Sequence, residues 1–145
     1  MKYQTEIEIK IPRDQLVALY ADRENYRHWQ PSLVKIEQIK GDGFETGSQA
    51  RLTVKMGKRE MEMVETISRN ELPERIDQVY ETPGVYNKNE NVFIAVDASK
   101  TRWVQENLFE FEKFPLKLMA TFTPGMFKKQ SQKYMADFKT YAEGQ

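Results

Sequence analysis

From Val34 to Phe111 the chain changes polarity at every second residue, and the breaks between these alternating runs are only a few residues long. A period of two is that of a β-strand with one buried face. Val34 and Ile36 mark the first such strand, and Ala50, Leu52, Val54 and Met56, alternating with Gln49, Arg51, Thr53 and Lys55, mark the next. Met61, Met63 and Ile67 continue the pattern, followed by Ile76 to Glu81, Val92 to Val96 and Arg102 to Phe111. Met56-Gly57-Lys58-Arg59 reads as a tight hairpin turn because Gly57 can supply a positive φ. Thr82-Pro83-Gly84-Val85 has Pro and Gly where a type II turn requires them. "DASK" joins the last two strands, "RNELPER" reads as a loop and the "GDG" of residues 41–43 as a turn. Links this short cannot carry crossovers, so the sheet is antiparallel.

The flanks complete the outline. Tyr3, Thr5, Ile7 and Ile9 form one more alternating strand, after which Pro12 opens a short helix with Leu16, Leu19 and Tyr20 at helical spacing. A second short helical stretch, Arg23 to Trp29, stops before Pro31, because the residue preceding a proline disfavours helical angles. At the other end Phe127, Gln130, Tyr134, Phe138 and Tyr141 share one helical face, with Lys128, Lys129, Lys133, Asp137 and Lys139 mostly opposite. Pro124-Gly125 should break or kink this helix from an apolar turn around Leu116 to Phe122, and is expected to be either a hinge that lets residues 116–126 move as a lid or a fixed kink that wraps the helix around the core. With no linker or repeat, residues 1–145 are expected to form one domain. A curved sheet with a long helix across its concave face leaves a space between them, packed or hollow.

Composition removes several functions. Lys plus Arg and Asp plus Glu both total 22, so no net charge holds the chain to nucleic acid or an acidic membrane. The late lysines read as a solvated helix face. No cysteine is present, which excludes disulfides, thiolate nucleophiles and Cys-based zinc sites, and fits a reducing cytosol. "MKYQTEIEIK" alternates where a signal peptide would be apolar, so the expected location is cytoplasmic. The longest apolar stretch, Phe114 to Phe127, is interrupted by Lys117 and Pro124 and falls short of the ~20 residues of a membrane span. A lone histidine, His28, has no Cys to activate and no second His with which to build a zinc site. No triad, phosphate loop or metal site has the right spacing, so no catalytic residue, metal or cofactor is assigned.

Particular stretches carry a resemblance over essentially the whole chain: "DRENYRHWQPSLVKIE" at the elbow, "MGKREMEMVETI" across the middle hairpin, "TPGVYN" and "KTRW" around the later ones, and "PGMFKKQSQKYMADFKTYAE" at the end. These resemble the START-like superfamily, also called the SRPBCC or helix-grip fold, and within it the bacterial polyketide cyclase/dehydrase-like proteins. The resemblance implies an α+β architecture, a curved antiparallel sheet of about seven strands around a long C-terminal helix, with a mainly apolar cavity between them. It also likens Trp29 to the family's recurrent elbow tryptophan, closing one end of the core, with His28 at the surface.

The residues themselves add candidates for lining that cavity. Met56, Met61, Met63, Met119, Met126 and Met135 lie on the segments expected to face inward, and methionine fits a space of variable shape or simply fills core gaps. If Met61, Met63 and Ile67 point inward, so does Glu65, which then binds something or takes up a proton, the alternatives being an arginine partner or a strand bulge at this place. On the last strand Trp103, Gln105, Asn107, Phe109 and Phe111 share one face and Val104, Glu106 and Leu108 the other; the aromatic face is expected to be the inner one, with Gln105 and Asn107 either polar hooks in the pocket or ordinary exposed sheet residues. Tyr80, Tyr86 and Phe93 could complete the lining. The ligand-binding set is therefore Met61, Met63, Glu65, Tyr80, Phe93, Trp103, Gln105, Asn107, Met119, Phe122 and Met126. The function expected is binding of a small hydrophobic molecule: a lipid, isoprenoid, quinone or polyketide-like compound. The alternatives are a cyclase or dehydratase working through a pair such as Glu65 and Tyr80, and an interaction module with a filled core.

Overall fold

The computed structural model describes residues 1–112 and 124–145. Strand β1 (Lys2–Ile9) is followed by helix α1 (Arg13–Tyr20), a 3-10 turn (Arg23–Asn25) and helix α2 (Tyr26–Trp29). Strands β2 (Leu33–Lys40), β3 (Gln49–Met56), β4 (Arg59–Glu71), β5 (Arg75–Thr82), β6 (Val85–Asp97) and β7 (Lys100–Phe111) come next, and helix α3 (Pro124–Glu143) last. All seven strands make one antiparallel sheet in the order β1-β7-β6-β5-β4-β3-β2. This is the expected α+β helix grip, a curved open sheet with its long helix on the concave side.

Local chemistry accounts for the corners. Pro12 stands at the cap of α1 with φ −60°, and Asp22 Oδ1 accepts from the Glu24 amide at 2.9 Å to start the 3-10 turn. Gly57 and Gly84 take φ of +65° and +83° in the β3/β4 and β5/β6 turns, the left-handed region that side chains avoid.

The α3 helix is tied to the first strand and to the elbow. Ser131 Oγ and the Tyr3 hydroxyl share a hydrogen bond of 2.8 Å, the Lys10 amide donates to Glu143 Oε2 at 2.7 Å, and the Tyr141 hydroxyl donates to Asn25 Oδ1 at 3.0 Å. Its buried stripe is Met135, Phe138 and Ala142, flanked by half-buried Tyr134 and Tyr141, while Gln130, expected on that face, is exposed. At 3.6 residues per turn the buried row sits one position beyond the aromatic row.

Three other expectations are corrected. Val34 is 53% exposed, because a register shift between Leu33 and Lys35 breaks the alternation and leaves Leu33 and Ile36 as the inward residues of β2. Met56, 59% exposed, pairs with Arg59 as the last rung before the turn and has nothing above it. The "RNELPER" loop is mostly strand: Arg69, Asn70 and Glu71 pair with Asp77, Ile76 and Arg75, leaving Leu72 to Glu74 as the turn.

Candidate functional site

Directly opposed residues of an antiparallel sheet share a face, so the register defines the concave surface row by row. Glu65, Tyr80, Asn87 and Phe109 form one row across β4, β5, β6 and β7. The next contains Ile67, Gln78, Asn89, Asn107 and, on β1, Tyr3. A third holds Ile76, Asn91, Gln105 and Thr5, and a fourth Phe93, Trp103 and Ile7.

The end nearest the elbow is filled. Tyr20, Tyr26, Trp29, Phe93, Trp103 and Phe138 are all at most 6% exposed and meet mostly edge to face, with Trp29 at 5.2 Å from Phe138 and 5.6 Å from Tyr26 between ring centroids, while Tyr20 stacks on Trp29. Phe93 and Trp103, expected to line the pocket, are part of this packed cluster. His28 is exposed and stacks on Tyr141 at 4.8 Å.

Above the cluster lies a belt of buried polar side chains. Glu65, fully buried, accepts from Arg23 Nε at 2.8 Å, from the Tyr26 hydroxyl at 2.8 Å and from Gln78 Nε2 at 3.3 Å. An arginine partner, one of the alternatives for Glu65, is thus what the fold supplies, and Arg23 is held in turn by Gln38, by the Gly43 carbonyl and by the ring of Phe44 at 4.7 Å. Gln78 Oε1 accepts from Tyr20 and from Asn91. Asn91 Oδ1 accepts from Trp103 Nε1 at 2.9 Å and from Gln105 Nε2 at 2.8 Å, and Gln105 Oε1 accepts from Asn107 Nδ2 at 2.7 Å. Burial raises the hydroxyl pKa values of Tyr20, Tyr26 and Tyr80 above the ordinary tyrosine range, and the Glu65 charge adds to it.

Beyond the belt the concave face keeps access to solvent. Met61, Met63, Tyr80, Asn87 and Asn89 are all half-buried. Along the same face Phe127 of α3 meets Phe109 and Phe111, 5.0 and 6.0 Å between ring centroids. Of the expected lining, Met61, Met63, Tyr80, Gln105 and Asn107 come together on this face, and Glu65 borders it. Met126 is instead 53% exposed, since Phe127 takes the inward position and successive helical residues diverge by about 100°. Tyr86 pairs with Glu81 and Glu110 on the opposite, convex face. Met119 and Phe122 lie outside the described residues, as does most of the expected lid.

Sequence reasoning missed Arg23, Tyr26, Gln78, Asn87, Asn89 and Asn91. The last three were within reach: "NKNEN" has period two, and extending the Phe93 strand backward puts all three on one face. Among the described residues no cluster of His, Asp and Glu is arranged to hold a metal ion, and no helix is long and apolar enough to cross a membrane.

The family described as polyketide cyclase/dehydrase and lipid transport matches the chain over residues 1–143. Among solved structures, the Zhui aromatase/cyclase from Streptomyces sp. R1128 superposes with a TM-score of 0.78 at 17% identity, covering 99% of this chain and 93% of that one. A START superfamily protein from Mycobacterium smegmatis gives a TM-score of 0.73 at 14% identity over 99% and 94% of the two chains. TTHA0849 from Thermus thermophilus gives 0.78 at 14% identity over 98% and 97%. Identities this low establish the fold alone. No functionally curated protein matches the sequence.

Proposed function

This chain belongs to the polyketide cyclase/dehydrase and lipid transport family, and from that premise we propose that it binds a small, mainly hydrophobic molecule on the concave face of the sheet, under the N-terminal half of α3. The observation that carries the reading is the contrast along one face: closed aromatic packing at the elbow, then Met61, Met63, Tyr80, Phe109, Phe111 and Phe127, all only half-buried among the described residues. A ligand there gains about 25 cal/mol for each Å² of apolar surface it takes from water. The polar belt beside it supplies orientation at small cost in affinity. Met119 and Phe122 belong to the proposed lining on sequence grounds.

The family also includes enzymes by its description, and an acid-base step at this face would need a carboxylate free to exchange its proton with the ligand. Glu65 is committed to Arg23, Tyr26 and Gln78, and burial keeps the proton on Tyr80. Binding is therefore the reading favoured here, with a lipid, isoprenoid, quinone or polyketide-like compound as the ligand class.

Native mass spectrometry of freshly purified protein, followed by solvent extraction, tests it directly. The expected result is an adduct of a few hundred daltons, or, in stripped protein, uptake of about one equivalent of the neutral dye Nile red with a blue-shifted emission. Protein that carries no adduct and leaves the dye spectrum unchanged would refute the proposal.

A further inference from the structure

Three asparagines on one face of a strand are unusual, because asparagine is depleted in strands and each amide brings two donors and an acceptor that must be satisfied when buried. The register puts Asn87, Asn89 and Asn91 in line on β6, at the middle of the concave face. Asn91 is fully buried and fully used, donating to Gln78 and the Ile76 carbonyl and accepting from Trp103 and Gln105. Asn87 donates to the Leu108 carbonyl at 3.1 Å and to Asn107 Oδ1 at 3.4 Å.

Asn89 differs from both. Its Oδ1 is buried and has no hydrogen-bond partner among the described residues, although the residue as a whole keeps some access to solvent. Neither lateral neighbour directs a donor at it. Gln78 gives its amide hydrogens to Tyr26 and Glu65, and Asn107 turns its amide nitrogen to Gln105. A donor for Asn89 Oδ1 has therefore to come from above the sheet, where the ligand is placed.

Resting on that reading, we propose that Asn89 is the polar anchor of the site and that the ligand it selects is hydroxylated, a neutral alcohol or phenol donating its hydrogen to Asn89 Oδ1. At Oδ1 itself a ketone, ether or carboxylate would set oxygen against oxygen. An ammonium group would need a carboxylate beside it, and Glu65 is already neutralised by Arg23. Gln105 and Asn107, the hooks expected from sequence, are bonded to each other in the ladder that runs beside Asn89.

The test is displacement of Nile red by two probes of similar size, 2-naphthol and 2-methoxynaphthalene, only one of which can donate. In the unmodified protein 2-naphthol should displace the dye at roughly tenfold lower concentration. In Asn89→Leu the two should come within about twofold, with the affinity for 2-methoxynaphthalene kept, whereas Asn89→Asp, which retains an acceptor, should keep the preference. Independently of any variant, the side-chain amide resonance of Asn89 should shift with 2-naphthol and stay in place with the ether. Equal displacement by both probes in the unmodified protein overturns the hydroxyl preference and leaves hydrophobic binding standing. A preference undiminished in Asn89→Leu, or an Asn89 amide unmoved at saturating 2-naphthol, overturns the anchor. If neither the dye nor either probe binds, the underlying reading falls as well.

Discussion

The indole of Trp29 is 6% exposed and touches the rings of Tyr20, Tyr26, Trp103 and Phe138, so Trp29→Ala should cost about 3–5 kcal/mol of stability in chemical denaturation. Its neighbour His28 lies on the surface against Tyr141, and His28→Ala should stay within about 0.5 kcal/mol of the parent and leave dye uptake unchanged. A loss of uptake on removing His28 would put function at the elbow after all. For the buried pair, Arg23→Met should be among the most damaging single changes, about 3–5 kcal/mol, because it strands Glu65 without its cation, and adding Glu65→Leu should recover much of the loss. A double variant no better than the single would mean that Tyr26 and Gln78 already neutralise the carboxylate. The inward direction of Glu65 was legible, since Met61, Met63 and Ile67 fix the phase of their strand. Its partner was not, being 42 positions away on a 3-10 turn, and local pattern holds no information about which distant side chain meets a buried charge.

The hairpins were the most readable elements, because a turn that needs a positive φ has to have glycine at a fixed place. At Gly57 an added Cβ would meet nothing within 4 Å, so backbone conformation alone sets the effect of Gly57→Ala, about 1–2 kcal/mol of destabilisation in a thermal or urea melt. A neutral substitution would show that the β3/β4 turn relaxes freely. The bulges were unreadable for the complementary reason: the shifts after Leu33 and after Ile67 insert a residue without calling for any special side chain. Val34 was therefore given the wrong face. In α3 the expected apolar face was correct in kind but displaced, since the helix packs toward α2 as well as β1 and buries Met135 and Ala142 along with Phe138.

Taken whole, the molecule concentrates its phenols where water is scarce. Of seven tyrosines, Tyr3, Tyr20, Tyr26 and Tyr80 have pKa values raised first of all by burial. In the unfolded chain they would ionise near pH 10, at about the ordinary tyrosine value, so the folded state keeps protons that the unfolded state has shed. Stability is then undiminished below about pH 10 and falls as the pH climbs above it. Tyrosinate absorbance should accordingly rise by only part of its full amplitude before circular dichroism reports unfolding; full amplitude in folded protein would contradict the burial. The occupancy of the concave face has its own test at this scale. Met63→Trp should fill the space, abolish Nile red uptake and leave the fold intact, and unchanged dye affinity in a folded variant would place the site elsewhere. The pairing of β1 with β7 also bears on the order of events during synthesis. The Met1 amine bonds the Phe109 carbonyl across 108 positions, whereas β3 to β7 close through hairpins of a few residues. Such distant closure is entropically slow. On the ribosome, β1 is made first yet has to wait for β7 before it has a neighbour, and α3, which docks on β1, waits longer still. A nascent chain would thus hold a nearly complete sheet with an open concave face, and would become competent to enclose a ligand only once α3 has been made and docked.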